Sequence, residues 1–131
     1  MQVVLRQIYY QPDADFGFIY STFGKGVYHG SAEPIQTPKQ AWFQDFYKYL
    51  NELLPNATIL IACPEDSPTT ILGYSIVYNE TLHFCYTKEL FRKQGIATLM
   101  LKNQDLNSIN YLNITKVGKA ILLKYKGEQN E

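Results

Sequence analysis

The amino-acid sequence predicts one α/β (α+β) domain spanning residues 1–131. Three observations carry that expectation. Runs rich in β-branched and aromatic residues fall at 3–10, 57–63, 70–78, 81–87 and 110–116. Helical segments lie between the first and second runs, between the fourth and fifth, and after the fifth. The 131 residues are 46% hydrophobic and 18% charged, which excludes a disordered, collagen-like or coiled-coil chain.

Taken in order, residues 3–10 (VVLRQIYY) open the chain as a strand, and Gln11-Pro12-Asp13 ends it. Asp13 or Asp15 suits the cap of a following helix. Residues 16–30 (FGFIYSTFGKGVYHG) set four glycines among Phe16, Phe18, Tyr20, Phe23 and Tyr28. Each glycine weakens a helix by about 1 kcal/mol. The expectation is therefore a short helix near 14–23 and then a mobile aromatic loop. That loop would be a lid over the core or the wall of a substrate pocket.

The next helix has clear signals. Thr37-Pro38-Lys39-Gln40 reads as a capping box with proline at the first helical position. Trp42, Phe46, Tyr49/Leu50 and Leu53 recur at helical spacing, as a core-facing stripe does, and Pro55 stops the run. Strands at 57–63 and 70–78 flank a turn at 64–68. Asn79-Glu80 makes a tight reversal into the strand at 81–87. A polar bend at 88–94 leads to a helix from Gly95 to about residue 105. A fifth strand at 110–116, a last helix at 117–126 and a frayed tail complete the chain.

Twelve basic and twelve acidic groups give zero net charge, which argues against a wholly basic or acidic partner surface. Residues 1–80 hold four basic and eight acidic groups, and residues 81–131 hold eight and four. The halves would then face different ligands, unless the split is scatter. Nucleic acid is not favoured, since no recognised motif accompanies the basic half. Cys63 and Cys85 are too few for a disulfide scaffold and read as buried thiols. No leader pattern opens the chain, and no apolar run approaches the ~20 residues of a membrane span. The expectation is a cytoplasmic protein without membrane association or a metal.

Chemistry concentrates where a strand gives way to a helix, at Arg92-Lys93-Gln94-Gly95-Ile96-Ala97. Backbone amides at a helix start can bind an anion. Gly95 and the small Ala97 allow close approach, and Arg92 and Lys93 add positive charge. The pattern points to a pyrophosphate site on the amides of residues 94–98, including Thr98. It is neither a nucleotide P-loop nor a dinucleotide fingerprint.

Arg92-x-x-Gly95-x-Ala97 resembles the acyl-CoA motif (Arg/Gln-x-x-Gly-x-Gly/Ala) of the GNAT, or Gcn5-related, N-acetyltransferase superfamily. Phe91 stands where that family has an aromatic, and Cys85-Tyr86-Thr87 where it has the end of a strand. The order of strands and helices is similar over nearly the whole chain. A narrower likeness is to short GNAT-like proteins of phage genomes. It rests on Asp15-Phe16-Gly17-Phe18-Ile19-Tyr20, on Tyr86-Thr87-Lys88 and on Thr-Lys-Val-Gly-Lys at 115–119. A phage source would make the compartment the host cytoplasm.

The resemblance implies a mixed central sheet with helices on both faces, its fourth and fifth strands parallel and splayed. It implies acetyl-CoA as acyl donor. The pantetheine arm would lie in the split beside the backbone of Cys85, Tyr86 and Thr87, and the phosphates at residues 92–98. An amine, on a small molecule or a peptide, would be the acceptor. Such chemistry needs a base and an acid. His83 and Glu80 are the candidate bases, and Tyr125 is the candidate acid. Lys116, Lys119, Lys124 and Lys126 could meet the 3′-phosphate or simply form a solvated face. Val117 replaces an Asn that the family often has.

The family continues past its fourth helix into two strands, whereas five residues follow Lys126 here. The fold would be truncated after that helix. The acceptor pocket would then be open, completed by a second subunit of a homodimer, or absent. The rival reading is a degenerate GNAT-fold binding or assembly module without turnover.

Overall fold

A computed structural model of the protein describes residues 1–11, 13–31, 35–102, 104, 106, 108 and 109. Strand β1 (Val3–Ile8) leads to helix α1 (Ala14–Gly30) and helix α2 (Lys39–Leu53). Strands β2 (Thr58–Pro64), β3 (Gly73–Tyr78) and β4 (Thr81–Thr87) follow. Helix α3 (Ile96–Leu101) and the short strand β5 (Ser108–Ile109) come last. The sheet runs β1-β2-β3-β4-β5, so chain order is spatial order. The first three pairings are antiparallel: β1 and β2 pair across the two helices between them, and a tight turn joins β3 to β4. β4 and β5 are parallel, through Thr81–Ser108 and Leu82–Ile109, with α3 as the crossover between them. The sheet is thus mixed, as expected. The strand expected at 110–116 and the helix at 117–126 lie outside the described residues.

α1 departs most from expectation. It is one helix of 17 residues, not a short helix and a mobile loop. Phe16, Ile19, Phe23 and Val27 form its buried stripe. Tertiary packing overrides the glycine penalty. A Cβ on Gly24 would stand 3.1 Å from the Phe43 ring, and one on Gly26 would stand 3.0 Å from the Phe84 ring. The missing side chains let α1 lie close against α2 and the sheet. Phe23 then stacks on Phe84 with centroids 4.3 Å apart and planes 8° from parallel. Burying one such ring stabilises by about 1.5–3 kcal/mol, more than a helical glycine costs.

The ends of the helices are also informative. Asp13 caps α1 by accepting from the Phe16 amide at 3.1 Å, and that bond holds its carboxyl below the usual range. Asp15 instead forms a two-pronged ion pair with Arg6 of β1, at 3.0 and 3.2 Å. The capping box expected at Thr37 does not form. Pro38, with ψ of 139°, is itself the N-cap and makes no side-chain cap bond.

Apolar layers cover both faces of the sheet. On one face, α1 and the Phe46, Leu50 and Leu53 stripe of α2 pack on Ile59, Ile61, Tyr74, Ile76 and Phe84. On the other, Ile96 and Met100 of α3 pack on Ala62 and Leu72, flanked by Val3, Leu5 and Cys85. No described helix is long and apolar enough to cross a membrane.

Candidate functional site

The site is built at the end of β4. Thr87 closes the strand, and the Lys88 amide donates to the Leu72 carbonyl at 2.8 Å. A single turn of 3-10 helix, Glu89–Phe91, swings the chain outward. Arg92 then reaches back, its Nε donating to the Thr87 carbonyl at 3.0 Å. This bond ties the loop to the strand end. The positive charges of Arg92 and Lys93 stay at the surface, as does Gln94. Lys93 and Gly95 both have left-handed backbones, with φ of 65° and 82°. Those reversals aim the chain into α3.

Gly95 is the N-cap of α3. The first intrahelical bond runs from the Leu99 amide to the Gly95 carbonyl at 2.9 Å. Helix geometry therefore gives the amides of Ile96, Ala97 and Thr98 no acceptor within the helix. Ile96 is buried against the sheet, whereas Ala97 and Thr98 are half-buried. A Cβ built on Gly95 would meet nothing within 4 Å. Glycine is therefore required there by its φ, and the space above the loop is open. The helix is shorter than expected, ending at Leu101 rather than near residue 105.

The β4 residues differ in chemical character. Burial pushes the Cys85 thiol up to about 12, so it is a neutral thiol at physiological pH, not a nucleophile. The Thr87 hydroxyl is buried and has no hydrogen-bond partner. Close by, a Cβ on Gly73 would meet the Tyr86 carbonyl oxygen at 2.4 Å. Glycine thus lets β3 approach the end of β4.

The catalytic candidates do not gather at this junction. The sequence places His83, Cys85 and Thr87 on one strand face. The structure corrects this. Between Ile76 and Val77 the β3–β4 register shifts: Ile76 faces Phe84, but Val77 faces Leu82. His83 is the extra residue of a β-bulge, so the alternation of side chains slips. Its ring lies on the α2 face, where Nδ1 is 2.6 Å from the Tyr49 hydroxyl. Burial lowers its pKa below the ordinary histidine value. Cys85 packs with the α3 layer on the opposite face.

Glu80 is exposed in the β3–β4 turn, with φ of 58°. It borders an open cleft of about 260 Å³ that Tyr78, Asn79 and Gln104 also line. Tyr125 and the four lysines at 116–126 lie outside the described residues. Tyr49 was missed as a partner of His83. Helical spacing marks it as a core-facing position, and only the need of a half-buried phenol for a hydrogen-bond partner hints at more. Among the described residues, no group of three or more His, Cys, Asp or Glu could hold a metal.

No protein-family model and no curated protein matches the chain. Solved structures do. A Pyrococcus furiosus protein described as an acetyl transferase superposes with a TM-score of 0.61 at 12% identity, over 83% of this chain and 80% of that one. A Clostridium acetobutylicum protein described as an acetyltransferase, solved with acetyl-CoA, superposes with a TM-score of 0.51 at 19% identity, over 95% and 88%. A Staphylococcus aureus protein described as a GNAT family acetyltransferase gives 0.52 at 17% identity, over 81% and 97%. At these identities the likeness speaks for the fold. The chain has an α/β fold of the GNAT type.

Proposed function

We propose that this protein is an acyl-CoA-dependent N-acyltransferase, with acetyl-CoA as donor and an amine as acceptor. The observation that carries the reading is the β4–α3 junction. Within a GNAT-type fold, Arg92-x-x-Gly95-x-Ala97 joins an exposed cationic loop to a helix start with unpaired amides. Two features fit an acyl-CoA there: the open space above Gly95, and the orphaned Thr87 hydroxyl, which a ligand amide or a water could complete. Arg92, Lys93 and the amides of 94–98 would hold the phosphates. The backbone of Cys85, Tyr86 and Thr87 would hold the pantetheine arm. Bound acetyl-CoA would supply an acyl group already activated as a thioester.

Calorimetric titration with acetyl-CoA tests this. The expected result is saturable binding that Gly95→Val abolishes, because a β-branched side chain can neither adopt a φ of 82° without strain nor leave the approach open. No binding at millimolar cofactor sinks the proposal. Unchanged affinity in the variant moves the site elsewhere.

A second reading has an observation of its own. Glu80, His83 and Cys85 sit at a turn, on one sheet face and on the other, without converging. That arrangement suits a GNAT-fold binding or assembly module, of the kind the narrower phage likeness suggests. Cofactor binding without thiol release across a panel of amines and peptides would favour it.

A further inference from the structure

β1 is an outermost strand of the sheet, and among the described residues only β2 pairs with it. Its ladder fixes which backbone groups are left over. The Glu65 amide donates to the Gln2 carbonyl at 2.9 Å, so Gln2 and Glu65 form a hydrogen-bonded pair. Such pairs alternate along an antiparallel ladder, so Val4, Arg6 and Ile8 also bond to β2. Val3 fits the other phase, because it faces Pro64, which has no amide to give. The N–H and C=O groups of Val3, Leu5 and Gln7 therefore point away from the sheet.

Proteins commonly blunt such an open edge with proline, lysine or a bulge. β1 has none of these: its sequence is VVLRQI, and its register with β2 runs unbroken from Val3 to Ile8. Its one charge, Arg6, is held by Asp15 at 3.0 and 3.2 Å and by the Pro68 carbonyl at 2.9 Å. Nothing in the strand repels a second strand.

The pattern of the edge also says what fits it. A strand paired antiparallel with its own copy about a two-fold axis must match outward residues with outward residues. The register that matches all of them puts Leu5 opposite Leu5 of the second copy, and Val3 opposite its Gln7. Met1 then falls opposite Tyr9. These side chains are 72% and 74% exposed, and the pairing brings both under cover. A thioether against an aromatic ring is a favourable contact. Val4 falls opposite Arg6, so no like charges meet.

We propose that the outer edge of β1 is a self-association surface: two copies join their β1 strands antiparallel about Leu5 and make one continuous sheet. Each matched pair of outward residues exchanges two backbone hydrogen bonds. The axis is perpendicular to the sheet, so α3 of both copies lies on one face and α1 and α2 of both on the other. The second copy extends the sheet at the edge remote from β5, away from the end of β4. The proposal stands independently of the acyl-transfer reading.

Sedimentation equilibrium of the protein from micromolar to sub-millimolar concentration reads the dimer. The wild type should pass from monomer to dimer as concentration rises. Gln7→Pro removes an outward N–H that β2 does not use, so it should weaken the dimer roughly tenfold or more. A wild type that stays monomeric throughout overturns the proposal and leaves the edge to a strand of another protein. A dimer of unchanged strength in Gln7→Pro overturns it too.

Cysteine linking tests the register, and does so even if that variant fails to fold. Residues of a hydrogen-bonded antiparallel pair have Cα atoms about 5.5 Å apart, within reach of a disulfide. Under a mild oxidant, Leu5→Cys should give a linked dimer on a non-reducing gel. Gln7→Cys should not, since the two Gln7 positions would stand roughly 14 Å apart. The wild type, with Cys63 and Cys85, is the control. Equal linking of the two variants, or none with Leu5→Cys, overturns the proposal.

Discussion

Asn79 and Glu80 reverse the chain between β3 and β4 with φ of 53° and 58°. Such a turn needs two left-handed residues in succession. Asparagine tolerates that state, and glycine is favoured second. Glu80 holds the glycine position at a cost of about 1–2 kcal/mol. A carboxylate kept in a strained turn beside a cleft is worth testing for function. Glu80→Gly should stabilise the fold by about 1 kcal/mol, read as a higher urea midpoint with unchanged slope. A lower midpoint would mean that the carboxylate's interactions outweigh the strain. Gly95 is the reverse case. There the sequence already meets the backbone's demand, and the residue was legible as a site position for that reason.

Helix α1 shows how an element can escape a propensity argument. Local propensity reads its glycines as a break, yet Gly24 and Gly26 are the surfaces on which neighbouring rings rest. The two inner glycines should respond differently to alanine. The Phe84 ring against Gly26 is buried and stacked on Phe23, so it cannot retreat. Gly26→Ala should destabilise by about 1–2 kcal/mol, since overpacking outweighs the gain in helix propensity. The Phe43 ring against Gly24 is half-buried and can give by a few tenths of an ångström. Gly24→Ala should stay within about 0.5 kcal/mol of wild type. Paired urea titrations separate the two. Equal losses would mean that α1 packs no more tightly against β4 than against α2. In β4, one inserted residue decides which face His83 occupies, and alternation in the sequence carries no sign of it.

For the whole molecule, pH is the accessible probe of both faces of the sheet. His83, on the α2 face, has its pKa lowered from 6.5 by burial. Its contribution to stability is present above about pH 6.5 and is lost as pH falls through the lower folded value. Cys85, on the α3 face, is raised from 9.0 to about 12. Its contribution is present below pH 9.0 and is lost as pH rises toward 12. The melting temperature should therefore form a plateau between these limits. His83→Gln should flatten the acid shoulder, and Cys85→Ser should flatten the alkaline one. A shoulder that persists in its variant assigns it to another group.

The sequence alone determined the α/β class, the tight reversal at Asn79–Glu80 and the cationic glycine loop after β4. These follow from local rules: strand composition, turn chemistry and the backbone freedom that one glycine supplies. Only the tertiary structure decided that α1 continues to Gly30 and that His83 turns away from Cys85 to meet Tyr49. Each outcome depends on a neighbour distant in the chain. A ring can fill the space beside a glycine, or an unmatched residue can slip a register, and the local pattern reads the same either way.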